Sequence, residues 1–359
     1  MSTVRNPWFD NIKGLLIFTV VFGHMIETYR DIPGNEMMLY LYNVIYFFHM
    51  PLFILLTGYF FKPNKPARIM KLFIVFIVWQ LVNGVLSEVI NEQQLISLTP
   101  ESRIFSIFNP YWTLWYLLGV IVWSIVTPYF MKLRYPLIIS IAFAVIISYA
   151  DQVTGWFSLR KLINFYPYFL LGYILANRNV LISLGERAKS YRHPLRWGAL
   201  FVFLAFLVVM VYYQHIPKGT EFLFMRESYN YFDWSIWKGL FYHLLLYAGT
   251  IGLSLALILL VPQGKPLLFF NRIGFYSLFI YLIHTNLIRI YRVLMPEELT
   301  TAPFLKVATA LIGSMLLSWI ITRDPIIKFF KPLIQPELNW LLRSDQQTYR
   351  NSKESFDSK

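Results

Sequence analysis

The stretch FDNIKGLLIFTVVFGHMIE, residues 9–27, is apolar enough to enter a membrane, yet it carries four ionisable side chains. These are Asp10, Lys13, His24 and Glu27, and their spacing places them on one face of a helix. Because ionisable groups are costly in lipid, this face is predicted to look into a helix bundle or a cavity. Lys13 and His24 are eleven residues apart, about 16 Å along a helix, so the cation is expected near one membrane surface and the imidazole near the midplane.

The composition of the whole chain indicates a membrane protein. Of its 359 residues, 57% are hydrophobic and only 14% are charged, against about 25% in a typical soluble domain. Apolar runs long enough to cross a bilayer recur along the chain, which excludes an unusually apolar soluble fold. The first run ends in His and Glu, so it is predicted to be a span and not a cleavable signal peptide. The absence of cysteine excludes thiolate metal sites and a cysteine nucleophile.

We predict an all-α polytopic membrane protein with about ten transmembrane helices. Most of the 32 Lys and Arg residues fall in segments on the same side as the N-terminus, which predicts that both termini are cytoplasmic. This topology also explains the net charge of +13, so no nucleic-acid partner is expected. Residues 1–335 are predicted to form one integral membrane domain, followed by a short polar cytoplasmic tail at 336–359. The predicted spans are 11–29, 40–61, 69–90, 111–131, 136–150, 162–177, 195–214, 240–261, 268–288 and 303–322.

Two connecting loops are long enough to carry a function of their own. Residues 178–194 are basic and cytoplasmic in this topology, and they are predicted to lie against anionic lipid. Residues 215–239 lie outside and contain EFLFMRESYNYFDWSIW, which is dense in aromatic side chains. An interfacial aromatic belt is the favoured interpretation of this loop. The alternative is a stacking surface for a sugar or a lipid-linked acceptor.

Three histidines, His24, His49 and His284, lie inside predicted spans and converge in depth between the midplane and the outer leaflet. Tyr281 shares the helix face of His284. His24 and Glu27 are helical neighbours, and a carboxylate there would fix the imidazole tautomer that a general base requires. A structural hydrogen bond is the ordinary role of a buried histidine and stays open. A metal site made of these groups matches no known ligand spacing, so no metal is expected.

Basic residues form a second candidate group at the cytoplasmic ends of the helices. Lys13, Arg68 and Lys71 are expected where the first and third spans meet the cytosol. The positive-inside rule explains most such residues, but it explains Lys13 least well because Lys13 lies on the polar stripe of the first span. A cationic rim below a midplane base would suit an anionic, phosphate-bearing donor that enters from inside.

Six segments in the same order resemble the acyltransferase-3 family of integral membrane acyltransferases, and the resemblance covers residues 9–285. The first is Lys13, ten residues and then His24, with Lys where the family usually has Arg; Lys keeps the charge but loses bidentate phosphate binding. The others are FFHMPLFILLTGYFF at 47–61 with His49, Pro51 and Gly58, the basic pair Arg68 and Lys71, TLWYLLG at 113–119, NFYPYFLLGYIL at 164–175, and NRIGFYSLFIYLIH at 271–284, which ends on His284.

The resemblance implies transfer of an acyl group, commonly acetyl from acetyl-CoA, to a hydroxyl of a cell-surface or lipid-linked carbohydrate. It implies a multi-pass protein of a bacterial plasma membrane, surrounded by membrane lipids. A transporter or exporter of a glycan or lipid-linked sugar is the alternative, although no inverted repeat is found. The expected catalytic residues are His24, Glu27 and His284, the expected acyl-CoA-binding residues are Lys13, Arg68 and Lys71, and the expected substrate-binding residues are His49 and Tyr281.

Overall fold

The structure is a computed structural model that describes residues 6–338, apart from 64, 92–108, 154, 191–192, 264 and 295–301. The described part is built from helices and short 3₁₀ turns and contains no strand, which confirms the predicted all-α class. Its α-helices are α1 Pro7–Ile26, α2 Glu36–Tyr59, α3 Pro66–Asn91, α4 Trp115–Phe130, α5 Pro136–Ile147, α6 Leu159–Asn177, α7 Val180–Arg187, α8 Pro194–Tyr213, α9 Gly219–Leu223, α10 Ile236–Leu260, α11 Leu268–Phe275, α12 Ser277–Leu294, α13 Pro303–Ile321 and α14 Asp324–Ile334.

Each of the ten predicted spans coincides with helix, but fewer than ten helices meet the length and hydropathy that a simple crossing requires. Among the described residues, seven do so: α1, α2, α3, α4, α8, α10 and α13. An eighth crossing results if α11 and α12, which meet at an angle of 86°, count as one broken span. The α5 helix has only 12 residues. The α6 helix is less apolar, and its first turn contains Arg160 and Lys161. The protein is therefore polytopic, and the part that the structure describes contains seven or eight such spans.

The α1 helix is the centre of the bundle. It packs against α2, α11, α12 and α13, and 83% of its most apolar window is buried inside the protein, the highest share of any candidate span. Its start is set locally, because the Asn6 side chain accepts a hydrogen bond from the Trp8 backbone N–H at 3.0 Å and Pro7 occupies the first turn. His24 is 7% exposed and faces the interior. The predicted inward orientation of His24 is thereby confirmed.

Two helix pairs pack backbone against backbone, and glycine makes both contacts possible. In the pair of α1 with α11, a Cβ on Gly14 or on Gly274 would lie within 2.0 Å of a carbonyl oxygen of the other helix. In the pair of α2 with α6, a Cβ on Gly58 or on Gly172 would meet a carbonyl oxygen at 1.9 Å. Such close approach between membrane helices depends on small residues. The glycines of the 47–61, 164–175 and 271–284 motifs therefore hold the bundle around the site.

Three further helices lie outside the predicted spans. The basic loop at 178–194 contains α7, whose Leu181 is fully buried and whose Gly185 contacts the Trp8 ring. The outer loop at 215–239 contains α9. The last helix, α14, follows the tenth predicted span and packs on α3, α12 and α13. The predicted polar tail lies outside the described residues from position 339 onward.

Candidate active site

A cavity of about 150 Å³ opens beside α1 and α2, and four of the eight predicted site residues, His24, Glu27, His49 and Tyr281, line it. We call it the central cavity. Most of its walls are apolar or aromatic, and its charged lining groups are few. It is lined by Ile17, Val20, His24, Glu27, Tyr42, Tyr46, His49, Met50, Phe53, Trp112, Thr113, Trp115, Tyr116, Lys161, Phe165, Leu223, Phe224, Arg226 and Tyr281.

His24 is held in the wall of this cavity through one ring nitrogen. Its Nδ1 lies 3.3 Å from Glu27 Oε2 and 3.2 Å from the hydroxyl of Tyr46. In the tautomer whose Nδ1–H points at the carboxylate, Nε2 is an acceptor and is left for a ligand. The predicted His24–Glu27 pair is therefore present, and Tyr46 is a third member that the sequence did not indicate.

Glu27 is in turn held by a cation from another helix. The Arg292 guanidinium donates to Glu27 Oε2 at 3.3 Å and to the His24 backbone carbonyl at 2.8 Å. The hydroxyl of Tyr42 lies 3.5 Å from the other carboxylate oxygen, Oε1. A carboxylate that accepts several bonds has little freedom to rotate, so it fixes the imidazole ring as well. Arg292 thereby links α12 to the carboxyl end of α1.

Trp112 also lines the central cavity, next to the imidazole of His24. Its ring centroid lies 4.8 Å from that of His24, and the guanidinium groups of Arg289 and Arg292 lie 5.6 and 5.4 Å from the ring. The Trp112 backbone has a φ of 36°, in the left-handed region that non-glycine residues rarely occupy. Strain of this kind persists where the surroundings over-determine a conformation, and it concentrates at functional sites.

The other predicted histidines occupy different positions relative to the cavity. His49 lines it, and because its Nδ1 bonds the Ile45 carbonyl at 2.8 Å, its neutral Nε2 is an acceptor. His284 is fully buried behind His24, with 5.5 Å between their ring centroids, and it does not line the cavity. Tyr281 lines the cavity, but its hydroxyl donates to the Thr113 carbonyl at 2.8 Å. Neither His284 nor Tyr281 presents a free donor to a substrate in this arrangement.

The predicted basic residues do not all come together. A cleft of about 20 Å³, which we call the basic cleft, is lined by Lys62, Lys65 and Arg68 together with Thr57, Phe61, Ile69, Leu72, Val120, Ser124 and Phe169. Lys13 pairs with Asp10 at 3.1 Å and lies 5.1 Å from the Phe60 ring, outside the lining of both cavities. Lys71 is exposed and also lines neither of them.

The two cavities follow each other along α2, and one hydrogen bond joins a lining residue of each. The hydroxyls of Thr57, which lines the basic cleft, and Tyr116, which lines the central cavity, are 2.7 Å apart.

The aromatic loop at 215–239 contributes part of the central cavity. Leu223, Phe224 and Arg226 line it, and the Phe224 ring packs edge-on against Tyr46 with 5.4 Å between centroids. The remaining aromatic side chains of the loop, such as Phe232 and Trp234, stack on one another at 4.8 Å. The loop is therefore both a packed aromatic cluster and one wall of the site.

No group of three or more His, Asp or Glu side chains among the described residues could hold a metal ion. His24, Glu27, His49 and His284 are thus neighbours without being a set of metal ligands. These four side chains instead make hydrogen bonds with Tyr46, Arg292 and two backbone carbonyls.

Several residues of the site were not predicted from the sequence. Tyr46, Trp112 and Arg292 surround His24, while Lys62 and Lys65 line the basic cleft. For Arg292 a signal existed: it lies eleven residues after Tyr281, on the same helix face, but the predicted span ended at 288.

Comparison with known proteins gives the family. A family model described as "Acyltransferase domain" matches residues 6–323, which includes all six motifs. The chain is 24% identical to the Nodulation protein NolL of Mesorhizobium japonicum over 230 residues. This alignment covers 60% of this chain and 57% of that protein. It is 42% identical to the Nodulation protein NolL of Sinorhizobium fredii over 57 residues, and this shorter alignment covers 15% of each chain. The chain thus spans about half or less of the curated relatives it matches.

No solved structure matches the chain. The family match rests on sequence over nearly the whole described bundle, and the cavity residues from α1 to α12 lie within it. The resemblance inferred from the six motifs is confirmed, and the chain belongs to the acyltransferase-3 family of membrane acyltransferases.

Proposed function

We propose that the protein is a membrane O-acyltransferase that moves an acyl group, in the simplest case acetyl, from acyl-CoA to a hydroxyl of a carbohydrate. One observation carries the proposal within this family: His24 stands in a cavity wall with Nδ1 fixed by Glu27 and Tyr46 and with Nε2 left for a ligand. A positioned imidazole of this kind is the usual general base of acyl transfer.

In the proposed reaction, His24 Nε2 takes the proton of the acceptor hydroxyl as its oxygen attacks the thioester carbonyl. A C–O bond forms, the C–S bond breaks, and the imidazolium returns the proton to the departing CoA sulfur. Glu27 stabilises the imidazolium, because a carboxylate beside the positive ring favours the charged form. Arg292 holds Glu27 in place. The indole N–H of Trp112, whose ring packs against His24, is the proposed donor to the oxyanion.

The donor is proposed to bind from the side of the basic cleft, which the charge distribution assigns to the cytoplasm. Arg68, with Lys62 and Lys65, would bind the CoA phosphates. The pantetheine arm would then pass between Thr57 and Tyr116 and present the thioester to His24. We also propose a second contact with acyl-CoA at the mouth of the cleft, made by Lys13 and Lys71.

The acceptor is proposed to enter the central cavity from the opposite side, past the wall formed by the 215–239 loop. His49 Nε2 would accept a bond from a sugar hydroxyl, and the aromatic walls suit the apolar faces of a sugar ring. We propose a cell-surface or lipid-linked carbohydrate as the acceptor. We also propose that the protein is a multi-pass component of a bacterial plasma membrane, since both named relatives are bacterial proteins.

The first test is donor binding by the purified protein in lipid nanodiscs. We expect acetyl-CoA to raise the melting temperature and to release CoA when an extract of cell-surface glycans is added. Adenosine, which lacks the phosphates and the pantetheine arm of CoA, is the control and should give no shift. A protein that neither binds nor consumes acetyl-CoA, but moves labelled glycan across a vesicle membrane, would support the transporter alternative. Mass spectrometry of glycans with and without the gene would then identify the acceptor by a lost acyl mass.

A further inference from the structure

Lys161 places an ammonium group in the wall of the central cavity without a polar partner. Its Nζ lies 5.0 Å from the centroid of the Trp115 ring. It makes no hydrogen bond or ion pair with any residue that the structure describes. A cation beside an aromatic face gains some stabilisation, but less than it loses with its hydration shell when the site is dry. The position therefore calls for a second, negatively charged partner.

The neighbouring carboxylates are already engaged. Glu27 binds His24 and Arg292, and Glu227 accepts a bond from Arg226 Nε at 2.8 Å. Both carboxylates attract the ammonium from a distance, but each is bonded to another cation and neither forms an ion pair with Lys161. The charged groups that line the cavity are Glu27, Lys161 and Arg226, so the surplus charge there is positive.

We propose that the central cavity takes an acceptor that carries an anionic group, a carboxylate or a phosphate, and that Lys161 binds this group. The inference rests on the proposed function in so far as the cavity ligand is the acceptor. Trp115 would contact the sugar ring next to the anion, since it lies directly beside the ammonium. An acidic sugar and a sugar phosphate share this chemistry.

Binding measurements with three small probes distinguish an acidic sugar from a sugar phosphate. They are methyl β-D-glucopyranoside, methyl β-D-glucuronide and glucose 1-phosphate, measured against the full-length protein in nanodiscs by saturation-transfer NMR. We expect at least one anionic probe to bind about tenfold more tightly than the neutral glycoside, as one charge-assisted hydrogen bond would give. Preference for the glucuronide indicates a carboxylate, and preference for the phosphate indicates a phosphorylated sugar.

Variants then assign the preference to Lys161. Lys161→Gln should abolish it, Lys161→Arg should keep it, and Lys238→Gln should leave it unchanged, because Lys238 is exposed and lines neither cavity. Melting temperatures control for folding. Equal binding of all three probes, or a preference that survives Lys161→Gln, would overturn the inference and leave Lys161 as a cation packed on Trp115.

The same probes distinguish failure of this inference from failure of the proposed function. With labelled acetyl-CoA as donor, acetyl transfer to the neutral glycoside as fast as to the anionic probes would overturn the inference alone. Tight, Lys161-dependent binding of an anionic probe by a protein that neither binds acetyl-CoA nor transfers acetyl from it would uphold the anion site and overturn the acyltransferase proposal.

Discussion

The central cavity and the basic cleft are neighbours along α2, yet their walls are built differently. In the cavity, His24 is fixed by bonds from Glu27 and Tyr46, and Glu27 is fixed by Arg292. In the cleft, the cations are at the surface: Lys62, Lys65 and Arg68 are all exposed. Pre-organised groups stabilise a transition state, whereas mobile surface charges attract and hold a ligand. Substitutions in the two regions should therefore change different kinetic constants.

The largest expected effect is that of His24→Ala. Loss of the base should lower kcat by about 10²–10⁴-fold while the protein still folds and inserts. Activity per mole of inserted protein is the measurement, and the control is His215→Ala, since His215 is exposed outside the site. Near wild-type turnover of the alanine variant would refute the proposed mechanism. A parallel loss of yield and melting temperature would instead make His24 a structural hydrogen-bonding residue.

Glu27→Gln tests whether the network around the imidazole matters as well as the imidazole itself. The amide keeps the shape but loses the charge that stabilises the imidazolium, so kcat should fall by about 10–100-fold, less than for His24→Ala. The KM for acyl-CoA should stay unchanged, because Glu27 belongs to the cavity and not to the cleft. The matched control is Glu186→Gln, an exposed residue on α7. An equal or larger loss than for His24→Ala would contradict an orienting role.

Arg68→Gln should change the KM for the donor and not kcat. Removing one charged phosphate contact is expected to raise the KM for acetyl-CoA about tenfold and to leave kcat within a factor of about two. Lys328→Gln, an exposed cation on α14, controls for general loss of surface charge. A variant with an unchanged KM and a reduced kcat would place Arg68 in the chemistry and remove the distinction between the two regions.

What the sequence could predict depended on local periodicity. The stripe on α1 needs only the helical repeat, so the inward orientation of His24 and its pairing with Glu27 followed from a few residues. The family also followed, because its motifs are short and ordered, and its match confirms the prediction of an acyltransferase. The partners from other elements were missed. Tyr46 is 22 positions from His24 and Arg292 is 268 positions away, and only the packing of helices brings them together.

The predicted group of basic residues shows a second limit of prediction from sequence. Position along a helix gives the depth of a residue in the membrane, but not its place around the bundle. Lys13 and Arg68 were therefore expected together, whereas Lys13 pairs with Asp10 and Arg68 lines the cleft. The count of ten spans has a similar cause, since apolar segments such as α5 read as crossings although the helix is only 12 residues long.

Lys13 gives the smallest expected effect and the finest test of the boundary between the two regions. Its side chain is 24% exposed and its ammonium forms an ion pair with Asp10. The attraction between Lys13 and a donor phosphate is therefore screened. Lys13→Ala should raise the KM for acetyl-CoA only about threefold, and Lys13→Arg should be tolerated because the charge is kept.

Asp10→Asn completes the argument about Lys13. If the carboxylate partly neutralises the ammonium, its removal should strengthen the attraction of the ammonium for a phosphate, and the KM should fall or stay level. The double variant with Lys13→Ala should then match Lys13→Ala alone in the same steady-state assay. An unchanged KM in Lys13→Ala would return Lys13 to the general positive-inside pattern. A rise as large as that of Arg68→Gln would extend the donor site from the basic cleft to α1, because only a direct phosphate contact gives an effect of that size.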